Sequence, residues 1–311
     1  MAEMKSLRKL LFGISPSETS ASVRGFPEET SPVRSRLEEI GKTFVLGYNA
    51  ALDSSEPDTL GLVLNGVDNE LRGFAYEGAA MSLALLDSLT PWNRGRFDAV
   101  LAGPGDAHAY MLHVGAGWAA ARLKSRRSSV PAKTDQLLGW LAFDGFGFHQ
   151  GFFGWENCFV KQLRGGRLVG PATKVFDQGL GRCAWFVYGA RVERVAEVVA
   201  SFAPDRHEDL WGGIGLAAAY AGGVSRRELA DLATLSGVHR AALGQGAAFA
   251  AKARVRAGNE TEHMDVACEE FFGGSGREAA RLTEVAEEGL PLGGPEPAYL
   301  VWRRRIRKLL Q

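Results

Sequence analysis

A chain of 311 residues that is 46% hydrophobic, with Lys+Arg 36 balanced by Asp+Glu 36, has enough apolar side chain for a large core and no net charge to draw it to nucleic acid. Its mean hydropathy of -0.09 is that of a water-soluble chain, and no uninterrupted apolar run reaches the roughly 18 residues of a membrane span. Cys158, Cys183 and Cys268 are odd in number, far apart and without C-x-x-C spacing, which argues against a disulfide framework and a structural zinc site and for a cytoplasmic protein.

From the N-terminus, residues 5 to 13 read as a short basic amphipathic helix ending at Gly13. Ser15 to Thr30 is rich in Ser, Pro, Thr and Glu without periodicity, so residues 1–30 are expected as a flexible tail and linker and residues 31–311 as a single α-helical repeat domain. Ser31-Pro32 supplies a cap and a first-turn proline, followed at helical spacing by Leu37, Ile40, Phe44 and Tyr48. Thr43 to Leu46, Leu60 to Leu64 and Trp185 to Val187 are weak strand signals inside helical surroundings.

Beyond residue 70 two kinds of helix alternate. One is apolar nearly all round and rich in Gly and Ala: Tyr76-Glu77-Gly78-Ala79-Ala80-Met81, His113-Val114-Gly115-Ala116-Gly117-Trp118, His149-Gln150-Gly151-Phe152, and segments centred on Gly181, Gly215 and Gly246. Taking Gly78, Gly115, Gly151, Gly181, Gly215 and Gly246 as equivalent gives steps of 37, 36, 30, 34 and 31 residues, a period of stacked supersecondary units. The other kind is amphipathic, with stripes Val192, Val195, Val199, Phe202 and Leu229, Leu232, Leu235, and with capping boxes Ser225-x-x-Glu228, Ser275-x-x-Glu278 and the weaker Asp205-x-x-Glu208. Glycine in a helix interior costs about 1 kcal/mol relative to alanine, so its repeated use requires a return in close helix approach. The expected fold is all-α: helical-hairpin repeats of about 34 residues with Gly/Ala-rich inner helices, wound as a superhelix or closed as an α/α toroid.

Polar groups recur at the head of, or inside, the small-residue helices. If these helices run the same way round, Glu77, His113, His149 and Asp177 converge near the axis as acid/base or polarising groups, with Tyr76, Trp118, Phe148, Trp185 and Tyr220 as aromatic walls of a pocket for a large, flat, apolar ligand. The alternative is that they cap helix ends or satisfy buried carbonyls. Asp144, in Phe143-Asp144-Gly145-Phe146-Gly147-Phe148, sits in an apolar setting that raises a carboxyl pKa unless a partner such as Arg182 is near. No phosphate loop, G-x-S-x-G elbow, H-E-x-x-H or clustered-aspartate signature occurs, and Gly103-Pro104-Gly105-Asp106 reads as a turn and cap. Neither a metal nor a cofactor is expected. The C-terminal Trp302-Arg303-Arg304-Arg305-Ile306-Arg307-Lys308 is a basic helix with an apolar edge, a surface that an acidic partner such as a carrier protein could meet.

Several long strings carry a resemblance: Gly73-Phe74-Ala75-Tyr76-Glu77-Gly78-Ala79-Ala80-Met81, Leu101-Ala102-Gly103-Pro104-Gly105 with His108-Ala109-Tyr110, Phe176-Asp177-Gln178-Gly179-Leu180-Gly181-Arg182 and Gly294-Pro295-Glu296-Pro297-Ala298-Tyr299. On these the chain resembles domain-of-unknown-function family 1702, whose members include proteins encoded beside enediyne polyketide synthases. The resemblance implies a role in natural-product biosynthesis and offers no established catalytic residues. The expected function is an accessory protein that holds an apolar polyene or polyketide-type intermediate and assists cyclisation or proton transfer, a cyclase- or isomerase-like enzyme. The alternative is a noncatalytic helical-repeat scaffold for a synthase, a carrier protein or the reactive product.

Overall fold

A computed structural model describes residues 2–27, 31–90, 92–123, 135–164 and 168–310. Met1, residues 28–30 of the expected linker and Gln311 lie outside the described residues. Among those described there are sixteen α-helices and no strand. They are α1 (Ala2–Phe12), α2 (Ala21–Arg24), α3 (Arg34–Asp53), α4 (Pro57–Asn65), α5 (Arg72–Leu89), α6 (Arg96–Leu101), α7 (Ala109–Arg122), α8 (Leu141–Phe153), α9 (Pro171–Val187), α10 (Val192–Ser201), α11 (Pro204–Ala221), α12 (Arg226–Ser236), α13 (Arg240–Ala257), α14 (Glu262–Phe272), α15 (Gly276–Glu287) and α16 (Ala298–Leu309). The three weak strand signals lie inside α3, α4 and α9, where helical spacing of the flanking apolar residues outweighs a local β-branched run.

The boxes at Ser225 and Ser275 open α12 and α15 with both reciprocal bonds formed. Asp205 caps nothing, because Pro204 already begins α11 and places it in the first turn, where its charge favours the positive end of the helix dipole. Ser31 does not cap α3 either; its hydroxyl donates to the Gly189 carbonyl, and the helix starts at Arg34. Leu235 is 45% exposed, while Leu229 and Leu232 of the same expected stripe are buried.

Small-residue helices pack backbone against backbone. A Cβ on Gly47 of α3 would stand 1.9 Å from the Ala75 carbonyl oxygen of α5, and one on Gly78 of α5 1.9 Å from that of Phe44. The same reciprocal contact joins α7 to α8 through Gly117 and Gly145, α8 to α9 through Gly147 and Gly179, α9 to α11 through Gly181 and Gly213, and α11 to α13 through Gly215 and Gly246. Gly115 of α7 meets the Glu77 carbonyl of α5 at 2.1 Å. Within Gly115-x-Gly117, Gly145-x-Gly147, Gly179-x-Gly181 and Gly213-x-Gly215, the first glycine faces the preceding small-residue helix and the second the following one. Equivalent positions are therefore Gly78, Gly115, Gly145, Gly179, Gly213 and Gly246. The sequence spacing takes Gly151, Gly181 and Gly215 for three of these; Gly151 meets the side chains of Cys183 and Leu180 instead.

Contacts beyond the crossings fix the helix sense. Gly147 lies on Phe176 and Gly151 on Cys183, so α8 and α9 run in the same direction. Gly215 lies on Leu243, and Arg254 donates to the Tyr220 carbonyl at 2.5 Å, so α11 and α13 do too.

The segment expected as a flexible tail is helical in α1 and α2 and is laid along α3. Tyr48 Oη donates to the Phe12 carbonyl at 2.9 Å, Asn49 bonds both backbone groups of Ile14, and the Ala21 amide donates to Glu38 Oε1 at 2.9 Å. At the other end, α16 buries Trp302 and Ile306, and its basic face is engaged within the protein: Arg303 pairs with Asp209 at 2.9 Å, Arg304 with Glu296 at 2.6 Å and Arg307 with Glu208 at 3.4 Å, while Arg305 donates to the Glu288 carbonyl at 2.7 Å.

One helix separates close approach from mere helix propensity. In α13 a Cβ on Gly246 would stand 1.9 Å from the Gly212 carbonyl, whereas a Cβ on Gly244 meets nothing nearer than 3.4 Å. Gly246→Ala is expected to destabilise by about 2 kcal/mol or more, and Gly244→Ala to be neutral or to stabilise by up to about 1 kcal/mol. Urea unfolding midpoints read both; equal effects would remove the packing argument.

Candidate functional site

Glycine contacts set the rotation of each helix, and rotation decides which side chains turn inward. Glu77, Asp144 and Gln178 each precede the glycine of their helix that faces the preceding small-residue helix, and their carbonyls receive the glycines of the next helix at Gly115, Gly179 and Gly213. Their side chains meet in one buried network. Arg182 Nη2 lies 2.8 Å from Asp144 and 3.5 Å from Glu77. Trp118 Nε1 donates to Glu77 at 3.0 Å, and Gln178 Nε2 donates to Asp144 at 2.7 Å and to Tyr299 Oη at 2.9 Å. Gln245, in the matching place on α13, accepts from Arg303 Nε at 3.0 Å.

Two carboxylates share one guanidinium in this network, so full ionisation would leave a net negative charge out of water. Burial pushes both acids above their ordinary values, against the opposing field of Arg182. Burial also works against the charge of Arg182, but Asp144 and Glu77 outweigh it and hold its pKa above the ordinary value. Each acid also accepts one hydrogen bond, Glu77 from Trp118 and Asp144 from Gln178, and Asp144 has the shorter ion pair with Arg182.

Glu77 and Arg182 also form part of the wall of a chiefly apolar cavity of about 70 Å³, which Glu18, Thr19, Arg34 and Glu38 line as well. Trp118, Phe148 and Tyr220, three of the five expected wall residues, line it; Leu37, Ile40 and Phe44 of the expected α3 stripe line it too. Its outer side is closed by Ile14, Thr19 and Phe26 of the N-terminal segment, with Phe26 edge-on to Phe152 at 5.2 Å. Sequence reasoning raised Arg182 only as a partner for Asp144 and missed Gln178, Tyr299 and the cover.

The remaining candidates stand elsewhere. His113 donates from Nδ1 to the Ala109 carbonyl at 2.8 Å and faces a separate groove beside Tyr110, Asp135, Lys252 and Arg256. His149 packs beside Trp118, ring centres 5.6 Å apart; burial, then Arg122, depresses its pKa to about 3, so it is uncharged at neutral pH. Asp177, 0% exposed, is held by Arg206 Nε at 3.0 Å and Arg164 Nη2 at 2.6 Å. Trp185 is core, donating to the Gly222 carbonyl at 3.3 Å. Tyr76 stacks on His108 at 4.4 Å and donates to Asn65 and to the Pro104 carbonyl. Among the described residues no group of three His, Cys, Asp or Glu could hold a metal ion, and no helix is long and apolar enough to cross a membrane.

Fold and site thus define an all-helical protein enclosing an apolar cavity beside a buried carboxylate–guanidinium cluster. The chain belongs to the family described as Protein of unknown function (DUF1702), matched over residues 3–310. No curated protein and no solved structure matches it.

The Tyr76–His108 stack makes a pH prediction. Burial, with Arg72 adding to it, lowers His108 from 6.5 to about 4. The folded state then binds fewer protons than the unfolded one, so the neutral ring's contribution is full above 6.5 and is lost as pH falls toward 4. His108→Phe should reduce by about 2 kcal/mol the stability lost between about pH 7 and about pH 5. Urea melts at the two pH values measure it, and an unchanged difference would refute it.

Proposed function

We propose that the protein binds an apolar polyene or polyketide-type intermediate of natural-product biosynthesis in the Glu77 cavity and that Glu77 moves a proton during its cyclisation or isomerisation. One observation carries this reading: a buried carboxyl, held above its ordinary pKa by burial, on the wall of a chiefly apolar cavity and beside a guanidinium. Such an acid can protonate one carbon of a conjugated chain and, as the carboxylate, take a proton from another, shifting double bonds without an oxidant or cofactor. The pathway part of the reading rests on the family resemblance.

We read the architecture as helical-hairpin repeats wound about this cavity. The equivalent glycines support it with steps of 37, 30, 34, 34 and 33 residues. The free volume of about 70 Å³ is well below the ~300 Å³ or more of ordinary ligand pockets. Binding therefore displaces the N-terminal cover, whose Ile14 and Phe26 fill the mouth. On α16 Arg303 and Arg307 are committed to Asp209 and Glu208, which leaves the scaffold alternative a small basic surface at the exposed Arg304 and Lys308.

Titration with a conjugated tetraene fatty alcohol, followed by probe fluorescence, tests the reading. Met81→Trp, filling the cavity from a wall residue, should weaken binding at least about tenfold, while Glu77→Gln should hold the probe within about twofold of the parent. Glu77→Gln should also abolish any shift of the probe's absorbance bands that the parent produces over hours. Failure of the parent to bind, or equal binding by Met81→Trp, would sink the proposal.

A further inference from the structure

A second void of about 30 Å³ lies deeper, walled by Met111, Val114, Leu141, Phe249, Ala250 and Trp302. It shares Arg182, Leu216 and Tyr220 with the Glu77 cavity, so these three side chains form the partition between the two spaces. Arg182 is anchored by two carboxylates. Leu216 is not: between Asp209 and Gly222 it is the one residue that is not buried, although the helix around it is enclosed on every side. Its accessible surface is surface facing these voids. Tyr220 Oη is buried without a hydrogen-bond partner, and its hydroxyl fits only because residue 73 is glycine, where a Cβ would stand 2.0 Å away. A buried hydroxyl left unsatisfied costs about 1–3 kcal/mol, so a polar group brought to the partition would find a partner there. Beyond it the chamber is walled chiefly by apolar side chains, with Tyr110 at its edge toward the His113 groove and Trp302 Nε1 already donating to the Thr283 carbonyl at 2.7 Å.

We propose that cavity and chamber are two halves of one site for a long, unbranched, chiefly apolar chain, with Leu216 and Tyr220 as the gate. The hydrocarbon end passes the gate into the chamber. A polar group stays beside Glu77, Arg182 and the Tyr220 hydroxyl. This rests on the cavity reading above and adds to it the ligand's shape and direction. A compact or branched molecule of equal carbon number would fill the outer cavity and stop at the gate.

The test is competition of linear saturated primary alcohols, roughly six to sixteen carbons long, against the tetraene probe. In the parent protein, affinity should keep rising by about fourfold per added methylene across the series. In Ala250→Leu, and in Ala253→Leu, both of which fill the chamber from walls that the outer cavity does not share, short alcohols should bind within about twofold of the parent, while the longest lose about tenfold or more. Either variant alone suffices should the other fail to fold. A series that lengthens identically in parent and variants would overturn the passage and leave the cavity reading standing. Absence of probe binding to the parent would overturn both.

Discussion

The structure depends on one contact repeated between successive small-residue helices: a glycine Cα seated against a carbonyl oxygen of the helix beside it. At separations where a Cβ would stand about 2 Å from that oxygen, only hydrogen fits, and the pair gains a Cα–H···O contact together with dense backbone packing. Each such contact offsets the helix propensity lost to glycine. Its larger effect is on register. Two contacts three residues apart on each helix fix both the height and the rotation of the pair. A chain of such pairs from α3 to α13 therefore passes rotation from helix to helix without large interlocking side chains.

Rotation is what assembles the polar cluster. Glu77, Asp144, Gln178 and Gln245 come from helices far apart in sequence, yet all occupy the place just ahead of the glycine that faces the preceding helix. An α-helix turns about 100° per residue, so the next residue back faces a different neighbour. Asp177 shows this: one position from Gln178, it points to Arg164 and Arg206. His113, one position from Val114, opens on a different groove.

That difference measures how far the sequence was legible. The all-helical class, two capping boxes and the small-residue helices are local properties, visible in composition and spacing. The recurrence of polar groups near the glycines was visible as well. What was not visible is which of two glycines, two residues apart, faces back and which faces forward, because both are equally small. An error of one residue in that choice is enough to exchange Gln178 for Asp177. Anchoring the third unit at Gly151 selected His149 in the same way and passed over Asp144. Glu77 is legible because in α5 no second glycine stands two residues beyond Gly78, the forward place being held by Ala80. Arg182 followed only from the charge logic of Asp144: a buried carboxylate needs a cation.

A buried cluster of two acids and one base is a poor way to stabilise a fold. Apolar residues of similar volume commonly do as well or better, while removing one partner from such a cluster leaves an uncompensated charge costing about 3–5 kcal/mol. Its position is therefore more telling than its strength. Asp144, held by Gln178 and through it by Tyr299, pairs with Arg182, whose same Nη2 lies beside Glu77 at the cavity wall. Asp144 cannot reach the cavity and Glu77 can. In the reading proposed above, the inner acid keeps the guanidinium charged and oriented while the outer acid exchanges its proton with the ligand. That division of two like acids between a sealed position and a cavity wall is what favours the proposed role of Glu77.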